Sequence, residues 1–407
     1  MTAAQLFTCH SDGLAFIYRI GYMTLRTGRI SGGTALVLLL GAASAAAQTV
    51  YPSVKINGRL QEQFYYFNNE PYAATVGPKD NFFTRRARIE ARGQISENVT
   101  VFIQPSFEGG RTLSGLTTTC SGTPLVCKTT GRSGLRLRDA WIDVRFSPAE
   151  SKSVLVLRVG QEKRPYSRYE LTSSNNLPSI ERGAGQGLLA RASNDLFSAN
   201  GFISHDVGAR LRYEYKLDDV RLLNLSFGVY NGQGESVNDV NNKKSLGARA
   251  TVGVTSKLDI GGSWFAHDGI VTVGTVVDSA FTNYAWDVDA QWGKVGDEGL
   301  FVLGEYLDGN DATAAKNKIR GIQGLAAYNY RFKSPTSWLY AIEPAFRVDL
   351  ADPNTNLTND RVTTISAVLG IYMSSKAQFR VAYEHESFQG GLTPSISGMR
   401  SALTVNF

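Results

Sequence analysis

The sequence predicts an all-β fold, a 16-stranded antiparallel transmembrane β-barrel with a long third loop folded into the lumen. Three observations lead there. Segments of about ten residues alternate apolar and polar side chains, the connections between them alternate short and long, and the last segment, "MRSALTVNF", ends on an aromatic residue, Phe407.

The chain begins with export chemistry. Met23–Arg29, "MTLRTGR", is basic; Thr34–Ala43, "TALVLLLGAA", is apolar; Ala45 and Ala47 precede an expected cut before Gln48. This pattern predicts a secretory signal peptide over 1–47, with 1–22 an over-extended start ahead of Met23 and the barrel domain over 48–407. The apolar run is far shorter than the ~20 residues a membrane helix needs, and no longer one follows Ala47.

Charge and cysteine content narrow the partners. The chain carries 42 basic and 36 acidic residues, a net +6, without a long basic block, which argues against a nucleic-acid partner. Removing 1–47 takes three arginines and one aspartate and leaves +4. Cys120 and Cys127, in the loop "TTTCSGTPLVCKTT" of an exported chain, are expected to form a local disulfide, the alternative being two free thiols. No metal-ligand cluster accompanies them.

Sixteen alternating segments are expected near 53–66, 82–95, 99–109, 135–146, 153–161, 206–217, 221–230, 245–254, 257–267, 281–293, 299–307, 320–332, 337–350, 362–373, 376–388 and 399–407. Tight turns are expected at 96–98, 147–152, 217–220, 255–257, 294–298, 332–337 and 374–376. Between them fall long Gly/Asn/Asp-rich connections near 67–81, 110–134, 162–205, 231–244, 268–280, 308–319, 351–361 and 389–398. A soluble sandwich gives no reason for length to alternate strictly. An outer-membrane barrel does, with short periplasmic turns and long outer loops. Tyr65, Tyr66, Phe67, Trp338 and Tyr340 near strand ends fit interfacial girdles. The terminal Phe407 resembles the signature by which the β-barrel assembly machinery recognises its substrates.

In a barrel the apolar phase faces lipid and the polar phase faces water. An arginine on the lipid face near the midplane costs roughly 2–4 kcal/mol, so the arginine-bearing phase points inward. That phase carries Lys55, Arg59, Arg86, Arg88, Arg92, Arg145, Arg158, Arg210, Arg212, Arg249, Arg347 and Arg380. Sixteen strands leave an aqueous interior. Rings of Arg and Lys there favour small inorganic anions, and the planar guanidinium suits phosphate through paired hydrogen bonds. Inward Glu90, Asp143, Glu214, Glu343 and Glu384 sit among them, so a charge-compensated lattice is the competing expectation.

The connection 162–205 is the most distinctive stretch, with Glu162, Lys163, Arg164, Arg168, Glu181 and Arg182 as candidate constriction residues. Its "VGQEKRPYS", "ELTSSNNL" and "ER", with "RLRDAWIDV" upstream and "HDVGARLRY" downstream, resemble the phosphate-selective porin O/P family. The resemblance covers nearly all of 48–407 and is most specific at Gly160-Gln161, Lys163, Pro165-Tyr166-Ser167, Leu171-Thr172-Ser173-Ser174 and Glu181-Arg182. It departs at Glu162 and at Pro178–Ile180, where an aromatic is commoner in the family. The resemblance implies a homotrimer of sixteen-stranded, anion-preferring channels with the third loop as constriction.

The resulting expectation is passive diffusion of small hydrophilic solutes, with preference for anions such as phosphate or polyphosphate. The alternatives are a general-diffusion or carbohydrate channel of weak selectivity and a non-channel barrel acting as adhesin, receptor or enzyme. No cofactor or metal is called for, and lipopolysaccharide is expected to contact the basic outer rim. Enzymatic activity is not expected: His205, His267 and His385 lie on separate segments, the nearest constellation being His385 between Glu384 and Glu386.

Overall fold

A computed structural model describes residues 51–407 apart from 69–78, 108–115, 122–125, 132–134, 149, 184–191, 240–241, 274–275, 314, 334–337 and 391–393. The expected signal peptide 1–47, the Met23 start and its cut lie outside the described residues.

The strands are β1 (Ser53–Phe67), β2 (Asp80–Gln94), β3 (Val99–Ser106), β4 (Leu116–Ser121), β5 (Val126–Gly131), β6 (Arg136–Arg145), β7 (Ser153–Lys163), β8 (His205–Lys216) and β9 (Leu222–Tyr230). They continue as β10 (Ser245–Gly253), β11 (Leu258–Val273), β12 (Val276–Trp292), β13 (Gly299–Asn310), β14 (Lys318–Arg331), β15 (Ala341–Asp352), β16 (Val362–Tyr372), β17 (Ala377–Phe388) and β18 (Ile396–Asn406). Two short helices, α1 (Arg168–Leu171) and α2 (Ser193–Ala199), lie between β7 and β8.

All but β4 and β5 close into one barrel of 16 antiparallel strands, each paired with its neighbours and β1 sealed against β18. Each expected segment forms one barrel strand. The seam extends through Phe407, whose amide donates to the Gly58 carbonyl at 3.0 Å while Gly58 donates back at 2.8 Å. The Phe407 ring crosses the Cα of Gly58 so closely that a Cβ there would lie 2.2 Å from it, which is why glycine stands at this position.

Three expectations about connections are corrected. The stretch 268–280 is not a long loop, because β11 and β12 run on to Val273 and from Val276. Its residues Val271, Thr272, Val273, Val276 and Val277 are β-branched and extend the ladder past a register shift at Gly269/Val271. The long connection 110–134 contains a separate hairpin, β4–β5, in which Cys120 pairs directly with Cys127 in Cα register. The side chains of β4 and β5 lie outside the described residues. Finally, β15 begins at Ala341, so Trp338 and Tyr340 precede the strand where alternation had placed them within it.

Alternation sorts the wall as lipid and water demand. Ile89, Leu211, Val288, Leu300 and Phe346 are exposed on the outer face, while Gln61, Gln323, Arg347 and Glu384 between such residues are buried inward. The packed core lies between the β7–β8 loop and the wall. Tyr166, Leu196, Phe197, Phe202 and Ile203 of the loop cluster with Tyr230, Phe265, Ala285, Leu307, Ile319 and Ala351, which come from β9 and β11–β15. Tyr169 and Leu177 pack on Phe301, Leu303, Leu325 and Ala327. Each such aromatic or leucine contributes roughly 1.5–3 kcal/mol by leaving water. The loop is thereby fastened to one half of the barrel interior.

Candidate functional site

The loop's course starts at Gly160, which has φ +133° and where a Cβ would meet the Ala140 carbonyl at 2.2 Å. Ser167 then takes φ +64°, a left-handed conformation that a non-glycine residue adopts only when held. It is held by acids of the far wall. Its amide donates to Asp287 at 3.1 Å and its hydroxyl to Glu305 at 2.9 Å, and the Arg168 amide donates to Glu305 at 2.7 Å. Arg168 also pairs with Asp289, and Arg249 reaches Asp287 at 3.3 Å and Asp289 at 2.5 Å. Farther on, Ser193 donates its amide to Asp349 at 2.8 Å, and Arg347 donates to the Glu181 carbonyl at 3.4 Å and to that of Arg182.

The loop touches the opposite wall at few points. Ser174 accepts from Arg59 at 3.0 Å, and Glu181 accepts from Gln63 at 2.8 Å. Arg85 grips Glu181 with Nε to Oε1 at 2.7 Å and a second nitrogen to Oε2 at 3.0 Å, and Arg86 approaches the same carboxylate at 3.5 Å. Between these points lies a cavity of about 400 Å³. One side is the wall of β1, β2, β3 and β6; the other is the loop. Its lining carries eight cationic side chains, Arg59, Arg85, Arg86, Arg88, Arg136, Arg138, Lys163 and Arg182, against five acidic ones, Glu90, Asp139, Glu170, Glu181 and Asp195.

Two of these cations reach the lumen through bulges. Gln61 pairs with Arg86 but Glu62 with Thr84, so Arg85 is an extra residue on β2 and turns inward beside Arg86. Gln104 pairs with Asp139 but Pro105 with Leu137, leaving Arg138 as the extra residue on β6. Alternation assigns Arg85 and Leu137 by parity and so misses Arg85, Arg136 and Arg138. A signal for the second bulge exists: Pro105 cannot donate to a ladder and is tolerated within a strand where the ladder breaks. Nothing local marks the first.

The inward arginines divide by occupation. Arg59, Arg86 and Arg88 line the cavity. Arg249 and Arg347 lie behind and beneath the loop, tied to Asp287, Asp289 and Asp349. Arg158, Arg210 and Arg212 form a lattice with two acids: Arg158 chelates Asp143 at 2.6 and 2.8 Å, Arg212 joins Asp143 at 2.9 Å, and Arg158 and Arg210 both reach Glu162. Arg145 and Arg212 border a second recess of about 380 Å³ toward the periplasmic turns. Arg380 is buried against the Tyr372 hydroxyl at 3.2 Å, and Arg400, on the last strand, holds Glu384 at 3.1 Å. Arg400 was not among the expected site residues.

Of the six candidate constriction residues, Lys163, Glu181 and Arg182 line the cavity and Glu162, Arg164 and Arg168 do not. Glu162 is 1% exposed, held by Arg158 at 3.2 Å, Arg210 and the Tyr230 hydroxyl at 3.3 Å. Its charge is spent inside the wall. Arg164 turns back onto Asp206 at 2.7 Å, and Arg168 points away to Asp289.

Lys55 and Arg92 are Cα partners across β1 and β2, both exposed, and among the described residues no carboxylate pairs with either. Arg92 instead lies 5.1 Å from the Phe102 ring and 5.5 Å from Trp141, which stack on each other at 5.0 Å. Arg158 covers the same Trp141 ring at 3.4 Å. Two inward aromatics thus serve as a bed for guanidiniums. The remaining constellations separate. His385 bonds Ser397 at 2.7 Å on the outer face, whereas Glu384 and Glu386 are buried inward. Asp287, Asp289 and Glu305 converge within 4.8 Å of one another, and Arg168, Arg249, Ser167 and Gln323 already occupy them.

Two acids of the loop, Glu170 and Glu181, are held ionised. Burial would raise Glu170, but Lys163 and Arg182 outweigh it and hold the carboxyl at about 2. Burial opposes ionisation of Glu181 too, and Arg85 and Arg86 bring it well below the ordinary range.

The barrel fold is shared with solved structures. The fold is similar to the anion-selective porin of Comamonas acidovorans, with TM-score 0.55, 13% identity, 88% of this chain and 100% of that chain covered. It is similar to the outer membrane channel DcaP of Acinetobacter baumannii, with TM-score 0.53, 14% identity and coverage of 88% and 98%. It is also similar to the trimer form of OmpT of Vibrio cholerae, with TM-score 0.53, 12% identity and coverage of 88% and 100%. No curated protein matches the sequence. The family model for phosphate-selective porin O and P matches residues 54–263, just over half of the chain, and the protein belongs to that family of outer-membrane channels.

Proposed function

We propose that this channel passes small anions, phosphate among them, by passive diffusion, that it works as a homotrimer, and that it has no enzymatic activity. The observation that carries the reading is the cation excess on the cavity beside the loop, eight against five among the described residues. In a narrow passage with low-dielectric walls such an excess raises the local concentration of anions. Guanidiniums on β1, β2 and β6 can replace part of an anion's hydration with charge-assisted hydrogen bonds, so passage does not require binding by one deep site. Arg85 through Arg88 place several such donors along one strand. Family membership and the trimeric Vibrio relative support the assembly. The exposed Phe407 supports delivery to the barrel assembly machinery.

A weaker selectivity is favoured by one observation, the pairing of Arg158, Arg210 and Arg212 with Asp143 and Glu162. A lattice of that kind shapes the transverse field with little net charge. The two readings separate when inorganic phosphate is titrated into a chloride-conducting bilayer. Phosphate-preferring passage predicts a saturable fall in chloride current that weakens when Arg85, Arg86 and Arg88 are replaced by Ala. A chloride current indifferent to phosphate would leave only the weakly selective channel.

A further inference from the structure

The outer ends of β13 and β14 carry a charged cluster on the face that meets the membrane, not the water-filled interior. Asp308 and Arg320 are Cα partners there, one rung from Asn310 and Lys318. A single carboxylate oxygen of Asp308 receives the Tyr306 hydroxyl at 3.2 Å, the Lys318 ammonium at 3.3 Å and the Arg320 guanidinium at 3.5 Å. Two cations converge on one acid, so the cluster keeps a net positive charge. Both cationic side chains remain open, Lys318 at 49% and Arg320 at 36% exposure. Lys has three donors and Arg five, so each retains unused N–H groups after meeting Asp308.

Its height on the barrel is set by aromatics. Trp286 is the Cα partner of Asp308 and packs on Tyr306 at 5.4 Å, while Trp264 stacks on Tyr284 at 6.2 Å along the same outer face. Aromatic rings on the outer face mark the boundary between hydrocarbon and headgroups. The short turn between β12 and β13 lies at the opposite end, so this girdle is on the outer-leaflet side. Below the cluster the face becomes apolar through Val288, Val302 and Ile322.

We propose that Lys318 and Arg320, preset by Asp308 above the Trp286–Tyr306 pair, bind the phosphate of a phosphorylated lipid headgroup in the outer leaflet. The ring pair lies against the lipid just below the headgroup, and the cations meet the phosphate at the depth where it sits. Free phosphate lacks the acyl chains that make the contact with the rings. The binding is separate from solute passage, since none of these side chains lines the cavity beside the loop.

The test uses the purified protein in nanodiscs of phosphatidylcholine, doped with lipid A or with its dephosphorylated form, and counts co-purifying lipid by native mass spectrometry. The wild-type protein is expected to retain lipid A over the dephosphorylated form. Retention should fall roughly thirtyfold in the variant Lys318→Gln/Arg320→Gln, two cations near a membrane surface being worth about 1 kcal/mol each. Heat-modifiable gel mobility checks that this variant is folded, and Lys318→Gln alone should give a partial loss. Millimolar inorganic phosphate should not displace the lipid. Equal retention of the two lipid forms, undiminished retention by the folded double variant, or displacement by inorganic phosphate would each overturn the assignment.

Discussion

Arg85 and Glu181 join β2 to the inner loop by two parallel hydrogen bonds, at 2.7 and 3.0 Å. Glu181 also accepts from Gln63, and its backbone carbonyl accepts from Arg347 on the other side of the barrel. The loop therefore spans the interior at this residue, and the passage is what remains beside it. Removing one partner of a buried charge pair costs about 3 kcal/mol or more. Glu181→Gln is expected to free the loop from β2, giving a larger and noisier single-channel conductance. An unchanged, quiet conductance would show that the apolar contacts of Tyr166 and Tyr169 fix the loop without this joint.

Trp141 is expected to matter without touching solute. It is buried, stacks on Phe102, and supports Arg158 at 3.4 Å and Arg92 at 5.5 Å. A desolvated cation–π contact is worth up to about 2 kcal/mol. Trp141→Leu should lower anion over cation permeability severalfold while barrel folding, read by gel mobility, is kept. Trp141→Phe should restore most of the selectivity. A purely structural role would move the gel band and leave the permeability ratio alone.

Acid should release the loop only at low pH. Glu170, paired with Lys163 and Arg182, is held at about 2 in the folded protein against an ordinary 4.5, so the stabilisation that its ionisation contributes is fully present only above pH 4.5. That stabilisation is lost as pH falls from 4.5 toward 2, and Glu181, depressed for a like reason, follows the same direction. Conductance recorded from pH 6 to 5 should be flat with respect to these two carboxylates, with altered gating below pH 4. Gating unchanged down to pH 3 would show that these two carboxylates do not hold the loop.

Cys120 and Cys127 are Cα partners in the β4–β5 hairpin, a register compatible with a cross-strand bond. Intact protein from the outer membrane is expected to resist alkylation until reduced, and then to take up two alkyl groups on these residues. Immediate labelling of both thiols would count against the bond.

Much of the barrel could be read from alternation, because lipid and water impose the period of two on every spanning strand. Ile89 and Arg88, or Phe346 and Arg347, sit where parity places them. What parity cannot carry is register. One inserted residue at Arg85 and another at Arg138 turn additional arginines into the lumen, and the first has no local mark. The candidate site was legible as a basic third loop but not as a division of labour. Glu162, Arg164 and Arg168 look alike with Lys163 and Arg182 along the sequence, and what separates them is the distant partners Arg210, Asp206 and Asp289. The run at 271–277 reads as a loop only if Gly269 is given more weight than the valines beyond it.

The measurement that bears most directly on the account is the zero-current potential of the wild-type channel in a planar bilayer under a potassium chloride gradient. The cation excess beside the loop predicts a potential of the sign set by chloride, with chloride several times more permeant than potassium. A potential near zero or of the potassium sign would contradict it.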